Sequence, residues 1–127
     1  MTPMIQNTLL VALGGALGAS LRHLTGLGLT RALGHGFPYG TLAVNVVGSF
    51  LMGAVVVLAA ERGLTHLSPL VVTGLLGGFT TFSAFSLDAV TLWERGEVVT
   101  ATAYVGASVA LSIGALVLGL LTARALA

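Results

Sequence analysis

The residues Gly74-Leu75-Leu76-Gly77-Gly78-Phe79-Thr80-Thr81-Phe82-Ser83 lie near the middle of a long apolar stretch, Leu67 to Trp93. A run that combines glycines with β-branched threonines is a poor helix. Non-helical backbone is tolerated inside a bilayer only where protein or a water-filled cavity covers it. The sequence therefore predicts a transmembrane helix that is broken at mid-membrane, with a buried ion-related site at the break. An unbroken helix with a glycine packing groove is the alternative.

Three further apolar stretches flank this one, from about Met4 to Leu33, Pro38 to Ala60 and Val98 to Ala125. All four are long enough for the ~20 residues that a membrane-spanning helix needs. The links between them are short, so neighbouring helices are expected to run antiparallel. We therefore predict that residues 1–127 form a single all-α membrane domain of four transmembrane helices.

The composition supports a membrane protein, because 56% of the residues are hydrophobic and only 7% are charged. Soluble domains carry about 25% charged residues. The 18 glycines suit close helix packing in lipid. Cysteine is absent, which excludes a disulfide framework and thiolate metal sites. The net charge of +1 is too small for nucleic-acid binding.

The basic residues give no clear orientation in the membrane. Arg62 and Arg124 are expected on one side, and Arg31, Arg95 and Arg22 on the other. Two against three is no usable bias under the positive-inside rule. Insertion in both orientations would allow an antiparallel two-fold dimer, and a single, weakly specified orientation is the alternative.

Polar and aromatic side chains inside the spans recur at helical spacing, so each set shares a face. The sets are Thr41, Asn45 and Ser49 on the second span, Phe82 and Phe85 on the third, and Tyr104, Ser108 and Ser112 on the fourth. They offer amide, hydroxyl and aromatic-edge donors. Such neutral donors can replace the water shell of a small anion without binding it too tightly for conduction. There are competing explanations for these side chains: hydrogen bonds between helices, hydroxyl bonds back to the backbone of the same helix, and simple packing of the aromatic rings.

Three motifs resemble the Fluc (CrcB) family of fluoride channels. The first span reads Gly14-Gly15-Ala16-Leu17-Gly18-Ala19-Ser20-Leu21-Arg22, similar to the family pattern G-G-x-x-G-A-x-x-R. The second reads Gly40-Thr41-Leu42-Ala43-Val44-Asn45-Val46-Val47-Gly48-Ser49-Phe50, similar to G-T-x-x-x-N-x-x-G-x-F. The third continues from Gly74 through Ser86 and resembles G-x-x-G-G-x-T-T-F-S-T-F-S. Two residues depart from the family pattern: His23 stands where tyrosine is common, and Ala84 replaces a threonine.

The resemblance implies a fluoride-selective channel that exports fluoride passively through the bacterial inner membrane and confers fluoride resistance. It further implies an antiparallel, dual-topology homodimer with two pores and a central structural Na⁺. The implied roles are a pore amide for Asn45, aromatic fluoride contacts for Phe82 and Phe85, and a polar track of Tyr104, Ser108 and Ser112 with Thr41 nearby. Arg22 would lie near the vestibule, Ser83 would supply a pore hydroxyl, and the main-chain carbonyls of Gly77 and Thr80 would hold the Na⁺.

Two other functions compete with a channel. A small multidrug-type proton antiporter needs a membrane-embedded carboxylate, but Glu61, Asp88, Glu94 and Glu97 all lie in links or near span ends. A structural subunit that only packs against other membrane proteins would leave the polar stripes without a purpose. Enzyme activity is not expected, because the sequence contains no Ser/His/Asp set, zinc-site spacing or phosphate-binding loop.

Overall fold

The computed structural model describes residues 1–127 and contains only helices and their links. Helices α1 (Pro3–Leu33), α2 (Tyr39–Glu61) and α5 (Val98–Leu126) are continuous. The third span, Thr65–Glu94, is divided into α3, residues 65–79, and α4, Phe82–Glu94. The prediction of four long apolar spans is confirmed, and every end lies within two residues of its predicted position.

The third span is interrupted at the predicted place. Helix α3 consists of a 3₁₀ turn (Thr65–Leu67), a π-helix (Pro69–Leu76) and one α-helical turn (Gly77–Phe79). Thr80 and Thr81 then have extended backbone, with φ/ψ angles of −94°/157° and −154°/120°. Helix α4 starts again at Phe82. We call Thr80 and Thr81 together the break.

Helix α1 packs against α3 with almost no side chain between the two backbones. The residues in contact are glycines on both helices, Gly14 and Gly18 on α1 and Gly74 and Gly78 on α3. A Cβ atom added at Gly18 would overlap the Leu75 carbonyl, and one added at Gly78 would lie 2.8 Å from the Gly15 oxygen. Small residues allow this approach in membrane bundles. The glycine pairs thus hold the first half of the third span directly against α1.

A second glycine contact joins α2 to α5. A Cβ atom at Gly53 would overlap the Leu116 carbonyl of α5, and one at Gly119 would overlap the Phe50 carbonyl of α2. The contact fixes the two helices that carry the polar stripes. Because α4 also packs on α5, the break faces the space between α2 and α5.

Most of the surface of one chain is apolar and open. Only 14 of the 127 residues are buried, so the fold has no core that could stabilise it in water. Along α1 alone, Leu9, Leu13, Leu17 and Leu24 are each about half exposed or more. Such a surface is stable when lipid tails, or a second membrane-embedded chain, cover it.

The α1–α3 contact predicts a strong position effect for alanine substitution. Gly18→Ala should destabilise the protein by about 1–3 kcal/mol, because its methyl group meets backbone atoms that cannot move aside. Gly28→Ala on the same helix meets nothing within 4 Å and is the matched control. Thermal unfolding in detergent, followed by Trp93 fluorescence, measures both. Equal melting temperatures for the two variants would show that α1 and α3 are not in backbone contact.

Candidate functional site

The side-chain amide of Asn45 holds the break in place. Its Oδ1 accepts a hydrogen bond from the Thr81 backbone N–H at 2.8 Å, and its Nδ2 donates to the Thr81 carbonyl at 3.0 Å. Buried backbone polar groups must find partners, and an extended residue between helices has none of its own. Asn45 supplies both partners from α2. The half-buried amide therefore replaces the helical hydrogen bonds that Thr81 gives up.

Arg22 binds the same region from the other side. Its Nε donates to the Gly78 carbonyl at 2.9 Å. The glycine contact one turn earlier, at Gly18, brings α1 close enough for this bond. The carbonyl end of a helix carries partial negative charge, which favours a cation there. Arg22 is thus anchored at the end of α3, next to the break, and its predicted place near a vestibule stays a prediction.

The break also leaves the backbone carbonyls of residues 77–80 without their helical donors. The Gly78 carbonyl accepts from Arg22 instead. In a continuous helix the N–H groups of Thr81 and Ala84 would bond to the carbonyls of Gly77 and Thr80. Here the Thr81 N–H donates to Asn45, and the Ala84 N–H donates to the Thr81 hydroxyl at 3.1 Å. Carbonyl oxygens freed in this way are ligands for a hard monovalent cation. Gly77 and Thr80 therefore fit the chemistry of the Na⁺ site that the resemblance implies.

Most of the predicted pore residues line one groove of about 380 Å³. They are Asn45, Phe82, Phe85, Ser108 and Ser112, together with Ser49 of the α2 stripe. The ring centroids of Phe82 and Phe85 are 5.5 Å apart. Phe82 is 78% exposed, so the groove is open along one side of the chain. The groove combines hydroxyl and amide groups with aromatic rings and contains no charged side chain.

Ser108 and Tyr104 are the two buried members of the α5 stripe. Ser108 is 6% exposed, and its hydroxyl is the one buried side-chain polar atom without a hydrogen-bond partner. Buried polar groups are nearly always paired, so an unpaired hydroxyl beside a groove needs an explanation. The Tyr104 hydroxyl is a polar neighbour of Ser108, and a ligand in the groove would supply a further partner. Ser112 lies one helical turn further along the same wall and is half-buried.

Tyr104 and Thr41 lie beyond the groove, one turn further along their helices. Tyr104 is fully buried, with its ring 5.4 Å from each of the rings of Phe37 and Phe85. Its hydroxyl donates to the Asp88 carboxylate at 3.1 Å. Thr41 and Asp88 line a second cavity of about 260 Å³, which we call the polar recess. Of the predicted polar track, Ser108 and Ser112 line the groove, Thr41 lines the polar recess, and Tyr104 lines neither.

Ser83 does not join the other predicted pore residues. It is exposed, it does not line the groove, and its hydroxyl lies 3.2 Å from that of Thr81. Ala84 contributes its backbone N–H to the cap of α4. A threonine side chain at position 84 is therefore not needed for that cap. His23 is exposed on α1.

Sequence reasoning missed Asp88 as part of the site. Its position near a span end suggested a membrane boundary, yet its carboxylate accepts the hydrogen bond from buried Tyr104. A signal was present, because Asp88 follows Phe85 by three residues and so shares its helix face.

Comparison with known proteins places the chain in a family. The family model described as "CrcB-like protein, Camphor Resistance (CrcB)" matches residues 9–120. The chain belongs to the CrcB family. A relative named fluoride-specific ion channel FluC, from Ruegeria sp. (strain TM1040), is 65% identical over 122 residues, covering 95% of this chain and 97% of the relative. A protein of the same name from Cereibacter sphaeroides (strain ATCC 17029 / ATH 2.4.9) is 60% identical, covering 95% of this chain and 97% of the relative. Another, from Paracoccus denitrificans (strain Pd 1222), is 54% identical, covering 97% of this chain and 98% of the relative.

The family and the four spans together establish the broad class of this CrcB protein. It is a multi-pass bacterial membrane protein. Its curated relatives are named as ion channels, which implies that it is not an enzyme.

The Asn45 contacts predict a large cost for removing the amide. Asn45→Ala leaves the Thr81 N–H and carbonyl unpaired, and each unsatisfied group costs about 1–3 kcal/mol. Ser49→Ala, one turn along the same stripe, is the matched control and should be close to neutral. Thermal unfolding in detergent distinguishes them. If the Asn45→Ala and Ser49→Ala variants have the same melting temperature, the amide does not hold the break.

Proposed function

We propose that this CrcB protein is a fluoride channel that exports fluoride passively from the cytoplasm across the bacterial inner membrane. The observation that carries the proposal is the groove at the break, where an amide, three serine hydroxyls and two phenyl rings converge without a charged side chain. The relatives named fluoride-specific ion channel FluC cover nearly the whole chain and support the choice of ion.

The chemistry of the groove favours an anion over a cation. Hydroxyl and amide N–H groups donate hydrogen bonds, and the rim of a phenyl ring carries the positive part of its quadrupole. The unpaired Ser108 hydroxyl can donate to an anion directly. A small anion would exchange its water shell for these donors step by step. Since none is charged, release stays fast enough for conduction.

A second copy of the chain would complete each pore. The groove is open on the side where Phe82 is exposed, and an open groove in contact with lipid cannot hold an anion. We propose an antiparallel dimer in which each chain covers the groove of the other, which gives two pores. The Gly77 and Thr80 carbonyls of both chains would hold a central Na⁺, whose positive charge would fix the two breaks together.

The direction of transport needs no energy source beyond the membrane potential. An inside-negative potential of ~100 mV favours the exit of one negative charge by about 2.3 kcal/mol. The groove contains no acid or base that could couple fluoride movement to protons. Passive export is therefore sufficient to lower the cytoplasmic fluoride concentration.

Efflux from liposomes tests the proposal. Purified protein is reconstituted into vesicles loaded with potassium fluoride. A potassium ionophore lets K⁺ leave together with the anion, so that no opposing voltage develops. A fluoride electrode measures the efflux. A parallel series uses potassium chloride with a chloride electrode. We expect rapid fluoride efflux and negligible chloride efflux. Efflux of neither ion from a folded dimer would refute the channel and return the protein to the class of membrane scaffolds.

The aromatic contacts predict selective loss of transport. Phe82→Ile or Phe85→Ile removes the polarised ring edge while keeping an apolar side chain, so fluoride efflux should fall by at least about tenfold, a barrier change of about 1.4 kcal/mol. Phe50→Ile, on α2 but outside the groove, is the matched control and should conduct normally. Size-exclusion chromatography verifies that each variant is intact. Unchanged efflux in both groove variants would remove the rings from the ion path.

The antiparallel dimer predicts two orientations of one chain. Two reporters are fused in turn after Ala127, one active only in the cytoplasm and one active only outside it. Both should give signal, because the basic residues impose no orientation. Replacing Ala103, which is exposed on α5, by leucine adds no charge and serves as an expression control. Signal from one reporter alone would exclude the antiparallel dimer.

A further inference from the structure

The polar recess lies at the end of the bundle where two links meet. The α1–α2 link, residues 34–38, forms one wall, and the last turns of α4 form the other. Gly34 turns the first link with a φ angle of 86°. Thr41 and Asp88 also line the recess, and Asp88 is the hydrogen-bond partner of Tyr104. The recess therefore contains a residue that contacts Tyr104, the first member of the α5 stripe.

The charges that line the recess are balanced. Of the charged residues at this end of the bundle, only Asp88 and Arg95 line it, whereas Arg31, Glu94 and Glu97 do not. With His35 neutral, the formal charge of the lining is −1 for Asp88 plus +1 for Arg95, which is zero. Without Arg95, an anion entering the recess would meet an uncompensated carboxylate. Because the recess is open to solvent, that repulsion would weaken as the ionic strength of the buffer rises.

We propose that the polar recess is a mouth of the anion path and that the Arg95 guanidinium offsets the Asp88 carboxylate there, so that a small hydrated anion can enter. This inference rests on the proposed fluoride channel and adds to it an entrance and a residue that controls the entry rate. Arg95 acts at a distance on the anion as it enters. The hydroxyls of Thr30, Thr41 and Thr91 line the same recess.

A purely structural role for Arg95 is the alternative. Arg95 is the C-cap residue of α4, where a positive charge favours the helix end. Arg31 lies in the last turn of α1, three residues before the C-cap Gly34, and does not line the recess. The two arginines therefore have the same charge, both lie at the carboxyl end of a helix, and differ in access to the recess. This pair separates an electrostatic role at the mouth from a role in helix stability.

Fluoride efflux from liposomes is compared for the unmodified protein, Arg95→Gln, Arg95→Lys and Arg31→Gln. The buffer ionic strength is set to about 0.1 M and then about 1 M, where the Debye lengths are about 10 Å and 3 Å. Arg95→Gln should reduce efflux by at least about threefold at the lower ionic strength and by less than about twofold at the higher one. Arg95→Lys and Arg31→Gln should stay within about twofold of the unmodified protein at both.

Each other outcome overturns the inference in a recognisable way. Equal efflux for Arg95→Gln and Arg31→Gln at about 0.1 M would show that the recess is not a mouth. A reduction by Arg95→Gln that is the same at both ionic strengths, or is also seen with Arg95→Lys, would assign Arg95 a structural role. Absence of fluoride efflux from the unmodified protein would refute the proposed channel itself, and the mouth with it.

Discussion

The two hydrogen bonds between Asn45 and the Thr81 backbone determine what the third span can do. They pair both polar groups of an extended residue in the middle of a long apolar segment, which otherwise would have to be helical. Once Thr81 is held by α2, its hydroxyl is free to start α4 by accepting from Ala84. The same change deprives the Gly77 and Thr80 carbonyls of their helical donors. One side chain thus stabilises the break, a new helix start and carbonyl oxygens that no helical N–H group occupies.

Charge is used sparingly around this site. The one cation at the break, Arg22, is engaged with the Gly78 carbonyl, and the one carboxylate near the track, Asp88, is engaged with Tyr104. The groove between them is lined by neutral groups only. In a low-dielectric membrane, a free charge in that groove would either bind an anion too tightly or exclude it. The arrangement suits an anion that must bind and leave quickly.

The sequence was sufficient for the architecture and for part of the site. Hydropathy and span length predicted the four helices, and Gly77-Gly78 followed by Thr80-Thr81 predicted the break, because these are local properties of the chain. The convergence of Asn45, Phe82, Phe85, Ser108 and Ser112 on one groove also agrees with helical spacing. The partners of Arg22 and Asp88 could not be predicted, since they depend on how closely α1 approaches α3 and how α4 packs on α5. For Ser83, the helix start at Phe82 turns the side chain away from the groove.

The central claim is that neutral donors at a broken span conduct fluoride rather than a cation. The most direct measurement is the reversal potential of the purified protein in a planar bilayer, with potassium fluoride at different concentrations on the two sides. Our account predicts that the reversal potential equals the fluoride equilibrium potential. Adding chloride to one side should change the reversal potential only slightly. A reversal potential at the potassium equilibrium value would contradict the account, because it would mean that the pathway selects cations.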